Sequence, residues 1–464
     1  MKMDRKEPAT LLALAIQSLL SNDSAAIHAL GEIPRELFIP LFTAAFKGGH
    51  KKTLTEMVKT WPFFCLHIGN LSVQKPHGEL LKAMVDGLQI LPAKNCDSRR
   101  PKLRILDLRQ DTDCRTTCPA ISTKSPVCLY SCVNAKQSML KIESINSIVT
   151  SESETQSSRK AMELLVDLFF DGTLKEREFI SSIVNKIKQS LGFLHLCCRD
   201  LQIDTFYDCE DILSILDLVC IDNLAIEQAS LSEVTTLLSR IVQLDSLSLT
   251  KIRFRSLNGD IFRNFLMHLG RMDHLKELNL SSFCLTNHLE KLLRVLPPDL
   301  DFLYLPFCEV SPRDFTFLSQ CPQTSHLKVL NLSNNPMYWE DFEPFQTLLE
   351  NLSGTLRHLE INNCLLTDST MLVFLPALSH CSKLRLLSFA SNPITMPTLM
   401  TIVQHLMSLM ELKYVIYPIP VHCYEGCYSQ RQVDRQKLGE VQTQLKMMLQ
   451  LAGRDDMRCM TYAW

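Results

Sequence analysis

Glycine is scarce in this chain, with 14 residues in 464. Architectures that cradle phosphate on Gly-rich loops are disfavoured from the outset, because such loops need backbone that approaches a ligand closely or turns through positive φ. Long apolar runs are missing as well. Nothing approaches the roughly 18–20 residues that a membrane span requires. The first apolar stretch, Leu11 to Leu20, is broken by Gln17 and Ser18 and lacks the small-residue site that ends a signal peptide. Nor is there an excess of either charge. Lys and Arg number 48 against 50 Asp and Glu, a formal net charge of -2 with a pI near 6.7, which gives no electrostatic case for nucleic-acid binding. Short basic clusters such as Ser98-Arg99-Arg100-Pro101-Lys102 read as solvated loop.

Hydrophobic residues, in contrast, make up 46% of the chain, and 18 cysteines occur. With no secretory signal to imply an oxidising compartment, the cysteines are expected as reduced thiols in the cytoplasm or nucleus, many of them buried as small hydrophobes. The decisive pattern is a repeat. The template L-x-x-L-x-L-x-x-N/C-x-L fits Leu327-x-x-Leu330-x-Leu332-x-x-Asn335-x-Met337, then Leu356, Leu359, Ile361, Cys364 and Leu366, then Leu384, Leu387, Phe389, Asn392 and Ile394. Weaker copies start at Leu191, Ile215, Leu244, Leu275, Leu300 and Leu409, and successive starts differ by 24, 29, 31, 25, 27, 29, 28 and 25 residues. Units of this length bury their leucines only by stacking. Position 9, occupied by Asn223, Cys308, Asn335, Cys364 and Asn392, turns inward to serve unpaired backbone groups, while Ile252 and Phe283 interrupt the ladder. Segments such as Leu289-Glu-Lys-Leu292-Leu293 and Met371-Leu-Val-Phe374-Leu375 show the one-sided spacing of outer helices.

The expected fold is therefore α/β: a leucine-rich-repeat horseshoe with a curved parallel sheet inside, helices outside and an N-terminal helical cap. Residues 1–100 form the cap, with helices over Leu11 to Leu20, Ser24 to Leu30, Arg35 to Phe46, Leu54 to Trp61 and Leu80 to Leu91. Residues 101–109, with Leu103-x-x-Leu106-x-Leu108, supply a first repeat strand, 110–160 a flexible Ser/Thr-rich insertion, 161–425 the repeats, and 426–464 a C-terminal helical cap and tail, helical over Val433 to Leu451. The insertion carries Cys114, Cys118, Cys128 and Cys132. They could be drawn as a four-thiolate zinc site, but the C-x3-C spacing is not the usual one and they read as loop thiols.

Several stretches closely resemble the PRAME family, including its oogenesin-like members: Leu11-Leu-Ala-Leu-Ala-Ile-Gln-Ser-Leu-Leu20, Ile33-Pro-Arg-Glu-Leu-Phe38, Pro40-Leu-Phe42, Trp61-Pro-Phe63 with Cys65-Leu66, Leu103-x-x-Leu106-Asp-Leu108-Arg109, Leu165-Val-Asp-Leu168-Phe169, Leu196-Cys-Cys198, Leu375-Pro, Leu378-Ser-His-Cys381 and Tyr417-Pro-Ile-Pro420. The tail, Met457-Arg-Cys-Met-Thr-Tyr-Ala-Trp464, lacks the Cys-rich ending of the family's founding member, and the cysteines at 114 to 132 match nothing associated with the family. The resemblance implies a non-enzymatic receptor that brings protein substrates to a cullin-RING ubiquitin ligase through elongin B and elongin C, together with a cullin and a RING subunit. It also implies germline expression and negative regulation of transcription, apoptosis and differentiation.

Under that resemblance Thr10, Leu11, Ala15 and Leu19 match an elongin-binding box, with Ala15 in place of the preferred Cys, and Ile33, Pro34, Leu37 and Leu41 match a cullin-selecting box. Both segments read equally as ordinary cap helices. Substrate would lie on the sheet, against outward residues Glu277, Asn279, Phe302, Tyr304, Asn331, His358, Glu360 and Asn362, with Phe302 and Tyr304 as the aromatic anchor. The alternative function is a transcriptional co-regulator or general protein-binding scaffold. Leu289-x-x-Leu292-Leu293 has the form that nuclear receptors recognise, although inside a repeat its leucines are expected in the core. Lys47-Gly48-Gly49-His50-Lys51-Lys52-Thr53 has the wrong glycine spacing for a phosphate loop, and no nucleophile motif supports catalysis. No catalytic residue, metal or cofactor is expected, and no membrane or direct nucleic-acid partner.

Overall fold

A computed structural model of the chain describes residues 10–68, 78–89, 103–109, 162–190, 192–206, 209–241, 243–254, 256–257, 259–337, 342–425 and 432–461. The chain divides into two units, Met1–Ile221 and Asp222–Trp464.

The first unit opens with helices α1 Leu11–Leu20, α2 Asp23–Ala29, α3 Arg35–Gly48, α4 Lys51–Lys59 and α5 Gly78–Gly87. Each boundary has a local cause. The Thr10 side chain caps α1 by accepting from the Ala13 N–H at 3.2 Å. Asn22 caps α2 by accepting from Ser24 and Ala25 at 3.0 and 3.2 Å. Gly49 ends α3 at φ 75, where a side chain would be strained. Gly87 is needed for packing instead. A Cβ there would meet the Thr55 carbonyl oxygen at 2.5 Å, so glycine lets α4 and α5 approach closely. The helices close on Trp61, which is fully buried and packs edge-on against Phe38, Phe42 and Phe63 with ring centroids 6.1, 5.3 and 5.7 Å away. Its Nε1 donates to the Cys65 carbonyl at 3.0 Å.

That bond leads into a strand that the sequence pattern does not announce. β1 Cys65–His67 pairs in parallel with β2 Ile105–Asp107, followed in sheet order by β3 Met162–Leu165 and β5 Leu194–Cys197. A second parallel pair joins β4 Leu168–Phe170 to β6 Asp200–Ile203. The segment 101–109 therefore supplies the second strand, not the first, and the expected helical cap contains β1. The reason is burial on both faces. Cys65, Leu66, His67 and Ile68 are all buried, so the in-out alternation that announces a strand never appears. The helix Leu174–Gln189, capped by Thr173, packs on α5, with Ser182 Oγ donating to Asp86 Oδ1 at 2.7 Å.

The second unit is a leucine-rich-repeat solenoid. Its strands are β7 Asn223–Glu227, β8 Ser246–Thr250, β9 Glu277–Asn279, β10 Phe302–Tyr304, β11 Val329–Asn331, β12 His358–Glu360, β13 Leu386–Ser388 and β14 Tyr414–Ile416, each parallel to the next. The register superposes Leu224, Leu247, Leu278, Leu303, Leu330, Leu359, Leu387 and Val415 in one buried column. Each side chain in it is worth roughly 1.5–3 kcal/mol of burial. Helices between strands, among them Leu231–Leu238, Asp260–Leu269, Pro312–Gln320 and Asp368–Ser379, turn their leucines and phenylalanines into the same core.

The register corrects two repeat starts. The repeat assigned to Ile215 begins at Ile221, with Leu224, Ile226, Ala229 and Leu231 inside. Asn223 is thus an exposed strand residue and not a ladder residue. The repeat assigned to Leu409 begins at Leu412, since Val415 pairs with Leu387. In both places apolar residues offer a second phase, and only the pairing decides between them.

Position 9 works as an alternating ladder. Asn335 Oδ1 accepts from the N–H groups of Cys308 and Val310 at 3.1 and 3.2 Å, and its Nδ2 donates to the carbonyls of Leu305 and Leu332, both at 2.8 Å. Asn392 does the same two repeats on, with Cys364 and Leu366 N–H at 3.0 and 3.1 Å and the Ile361 and Phe389 carbonyls at 2.9 and 2.7 Å. The cysteine rungs donate backward, Cys308 Sγ to the Leu280 carbonyl at 2.8 Å and Cys364 Sγ to that of Leu332 at 3.3 Å. The residue before each rung must turn left-handed, and Gln228, Lys251, Ser282, Phe307, Asn334, Asn363 and Ser391 all have positive φ.

The C-terminal helix runs Arg435–Leu451 with Asp434 as its cap, and Val433 lies outside it, in β16 Gln432–Val433, paired antiparallel with β15 Tyr424–Glu425. The tail then makes a further parallel strand, β17 Arg458–Met460, against β14. Buried Arg454 fixes this return by donating to the Met407 and Leu412 carbonyls and to Asp456.

Candidate protein-binding surfaces

Alternation along the strands of the second unit sends one set of residues into the core and the other onto the open sheet face. In the parallel register Glu277, Phe302, Val329, His358, Leu386 and Tyr414 form one row. Asn279, Tyr304, Asn331, Glu360, Ser388 and Ile416 form the next. Neighbours within a row lie about 4.8 Å apart. The structure thus brings the expected face residues together, with Phe302 and Tyr304 half-buried side by side. Asn331 Nδ2 donates to Glu360 Oε2 at 3.0 Å, and its Oδ1 accepts from the Ser333 N–H at 2.9 Å. Asn362 lies just beyond, accepting from Ser388 Oγ and the Ala390 N–H at 2.7 and 2.8 Å.

Burial shifts several titratable groups on this face. Burial holds the Glu360 carboxyl above its ordinary pKa. Burial, then Arg385 and Arg357, hold the His358 imidazole below its own. Tyr304 is raised by burial and by the carboxylates of Glu277 and Glu360. Sequence reasoning missed Phe307, 54% exposed at φ 58. It stands on the turn after β10, where the repeat phase already marks a left-handed position.

In the first unit, the stripe at Leu11, Ala15 and Leu19 runs along one side of α1. Leu11 is 87% exposed, Ala15 is exposed and Leu19 is half-buried, while Thr10 is exposed and caps the helix. The adjoining side of α1, with Leu12, Ala13, Ile16 and Leu20, lines an apolar groove of about 910 Å³ shared with Ile39, Pro40, Thr43 and Ala44 of α3. The second box divides. Pro34 and Leu37 are exposed and Ile33 is half-buried, but Leu41 is core at 1% exposure. Arg35 anchors the start of α3, donating to the Pro62 carbonyl at 3.0 Å and lying 5.2 Å over the Phe63 ring.

Other motifs resolve into structure. Leu289, Leu292 and Leu293 are fully buried, and Asp314 of the next repeat ties down their helix by accepting from the N–H groups of Asn287 and Leu289 at 2.8 and 3.2 Å. That motif is core and offers nothing to a receptor groove. Lys47 to Thr53 is the junction of α3 and α4. Cys114, Cys118, Cys128 and Cys132 lie outside the described residues, as does the insertion.

A parallel sheet with one open face, repeated leucine rungs and an Asn/Cys ladder define a leucine-rich-repeat protein that binds through surface. Comparison narrows the class. Residues 8–114 match the PRAME N-terminal domain and residues 162–458 the PRAME C-terminal domain. The human PRAME family member 12 is 32% identical over 438 residues, covering 91% of this chain and 87% of that protein. The bovine leucine-rich repeat-containing protein 14 is 30% identical over 496 residues, covering 96% of each. The chain belongs to the PRAME family. Neither of these relatives is named as an enzyme.

Proposed function

We propose that the chain is the substrate-recognition subunit of a cullin-RING ubiquitin ligase, working in the cytoplasm and nucleus and performing no chemistry of its own. α1 docks on elongin C, with elongin B, the cullin and the RING subunit completing the ligase. A protein substrate lies on the sheet around Phe302 and Tyr304, flanked by Asn331, His358 and Glu360, and is passed on for proteasomal degradation.

The observation that carries this reading is the exposure of Leu11 at 87% on a capped helix whose neighbouring face also holds Ala15 and Leu19. A leucine left in water at the start of an amphipathic helix is a typical anchor for a partner groove. Ala15 fills less volume than the Cys of the family pattern, so docking is expected to be weaker but not abolished. Leu41 supports the fold of α3, which leaves Pro34 and Leu37 to meet a cullin.

The test is recovery of the full chain with purified elongins B and C, beside a Leu11→Ser, Leu19→Ser variant checked by circular dichroism. Wild-type recovery with loss in the folded variant is expected, and Ala15→Cys should tighten the complex. Absence of wild-type binding would overturn the ligase reading and leave a protein-binding scaffold or transcriptional co-regulator acting through the sheet face.

A further inference from the structure

The first unit holds a second site with no part in protein docking. On β5, His195 and Cys197 are two residues apart and so point to the same side of the strand, while Cys198 points the other way and donates its thiol to the Asp200 carbonyl at 3.4 Å. Beyond the strand, Asp217 caps a short 3-10 turn, Leu218–Cys220, with its Oδ1 accepting from the Val219 N–H at 3.1 Å. Residues three apart on such a turn eclipse each other, so Asp217 and Cys220 face one way. The two pairs meet. His195 Nε2 and Asp217 Oδ2 are 3.2 Å apart, and a ligand atom each from His195, Asp217 and Cys220 lie within 4.8 Å of one another. The Cys220 thiol is hydrogen-bonded to Cys197 and to Asp217.

We propose that His195, Cys197, Asp217 and Cys220 form a zinc site, written in the sequence as H-x-C followed by D-x-x-C. Two thiolates, an imidazole and a carboxylate are the donor set of a closed tetrahedral zinc centre. His195, Asp217 and Cys220 stand close to the spacing it needs, and Cys197 joins them through its hydrogen bond with the Cys220 thiol. Zinc ligands at about 2.0–2.3 Å from the ion stand about 3.3–3.8 Å from each other, close to the separation of His195 and Asp217.

The buried Nδ1 of His195 has no partner, and Glu163, paired with His195 across β3, is buried beside it as the carboxylate that could orient the ring. β5 ends the sheet order of this unit, so the ion would fasten the turn at 217–220 to an edge strand. Its role is structural, since all four positions are filled by protein.

The experiment uses the full chain. It is purified under reducing conditions, stripped with a chelator, then titrated with cobalt and with zinc against a chromophoric competitor. One tightly held zinc is expected, together with the thiolate-to-cobalt charge-transfer band and the intense visible bands of tetrahedral cobalt. Cys197→Ser and Cys220→Ser should each weaken that band, and the double variant should abolish it. Glu163→Gln should lower zinc affinity roughly 10–100-fold without moving the bands. A Cys114→Ser, Cys118→Ser, Cys128→Ser, Cys132→Ser variant should keep the signal, which separates this site from the insertion cysteines. If the Cys double variant fails to fold, Asp217→Asn and His195→Gln give the same readout at partly exposed positions. No tetrahedral cobalt spectrum from the wild type, retention of the spectrum in the Cys double variant, or recovery of the reduced-purified chain with a Cys197–Cys220 disulfide and no metal affinity would each overturn the proposal.

Discussion

The two units solve one problem in opposite ways. Each must satisfy polar backbone and side-chain groups inside a parallel sheet. Along the repeat ladder of the second unit the solution is neutral, with Asn335 and Asn392 each serving two N–H groups and two carbonyls while Cys308 and Cys364 donate back one repeat. In the first unit it is ionic. Asp107, 1% exposed, accepts from Arg109 Nε at 2.8 Å and Nη2 at 2.9 Å, and its Oδ2 lies 3.0 Å from His67 Nδ1. Nearby, Asp167 keeps an unpartnered buried oxygen among the described residues. A neutral ladder repeats without accumulating charge and can be extended indefinitely. A buried ionic cluster cannot, and it marks one place in the sheet.

The sharpest way to break this contrast is Asp107→Ala. It strands buried Arg109 without its counter-charge and His67 Nδ1 without its partner, and removing one partner of a buried pair is destabilising by about 3–5 kcal/mol. The loss should be confined to the first unit. Urea unfolding followed by Trp61 fluorescence, in a background with Trp339→Phe and Trp464→Phe, should show an early transition. If the whole chain shifts together, the units do not unfold separately.

Next come the ladder rungs, which should rank by chemistry. Asn335→Ala leaves buried N–H groups and carbonyls unpaired and should destabilise the second unit by about 3 kcal/mol. Cys308→Ala removes only a weak thiol donor and should change stability by about 1 kcal/mol. Equal effects would show that the alternation of Asn and Cys carries no energetic meaning.

The pH response separates the units further. Asp107 is held far below the ordinary carboxylate range by hydrogen bonds and charge from Arg109 and His67, which overcome the opposing effect of burial. Its contribution is therefore present above the unfolded value of about 3.9 and lost on acidification. Asp167 has the opposite sign. Burial, then the Asp200 and Asp107 carboxylates, raise it to about 7. Folding favours its protonated form, so its contribution is full below about pH 4 and is lost as pH rises through neutrality. The urea midpoint of the first unit should fall between about pH 5 and pH 8, and Asp167→Asn should flatten that fall while leaving the acid limb. A midpoint that stays constant over this range would remove the ionic cluster as a pH-sensitive element.

The same contrast governs how much the sequence reveals. The second unit is legible because its core repeats: Leu278, Leu303, Leu330, Leu359 and Leu387 announce the sheet, and alternation then places Phe302, Tyr304, His358 and Glu360 on its face. Two phases are ambiguous where apolar residues offer a second register, at Ile215 and Leu409. In the first unit β1 is hidden because Cys65-Leu66-His67 has no alternation. His67 lies 40 residues before Asp107 in the chain, so only the pairing of β1 with β2 brings it to Asp107 and Arg109. The exposure of Leu11 and the burial of Leu41 are equally out of reach, since both sit on helices of similar apolar spacing. Tail strand β17 escapes the pattern because Cys459 occupies the place where earlier repeats put Leu or Val.

Phe307 tests the comparison at its finest scale. Every ladder rung is preceded by a left-handed residue, and most of these are polar or small; Phe307 is an aromatic held at φ 58 and 54% exposed. Burial offers little return for a bulky side chain in a sparsely populated region of backbone space. Strain of this kind is about 1–3 kcal/mol and is held here by the repeat geometry, which turns the same position left-handed in every unit. Replacing Phe307 by Asn, which tolerates the left-handed region, should raise stability by up to about 1 kcal/mol. If Phe307 extends the aromatic anchor of Phe302 and Tyr304, the same change should weaken capture of a partner on the sheet while making the free chain more stable. Opposite signs in the two measurements would assign Phe307 to binding. A gain in stability with unchanged capture would leave it a strained turn residue and confine the anchor to β10.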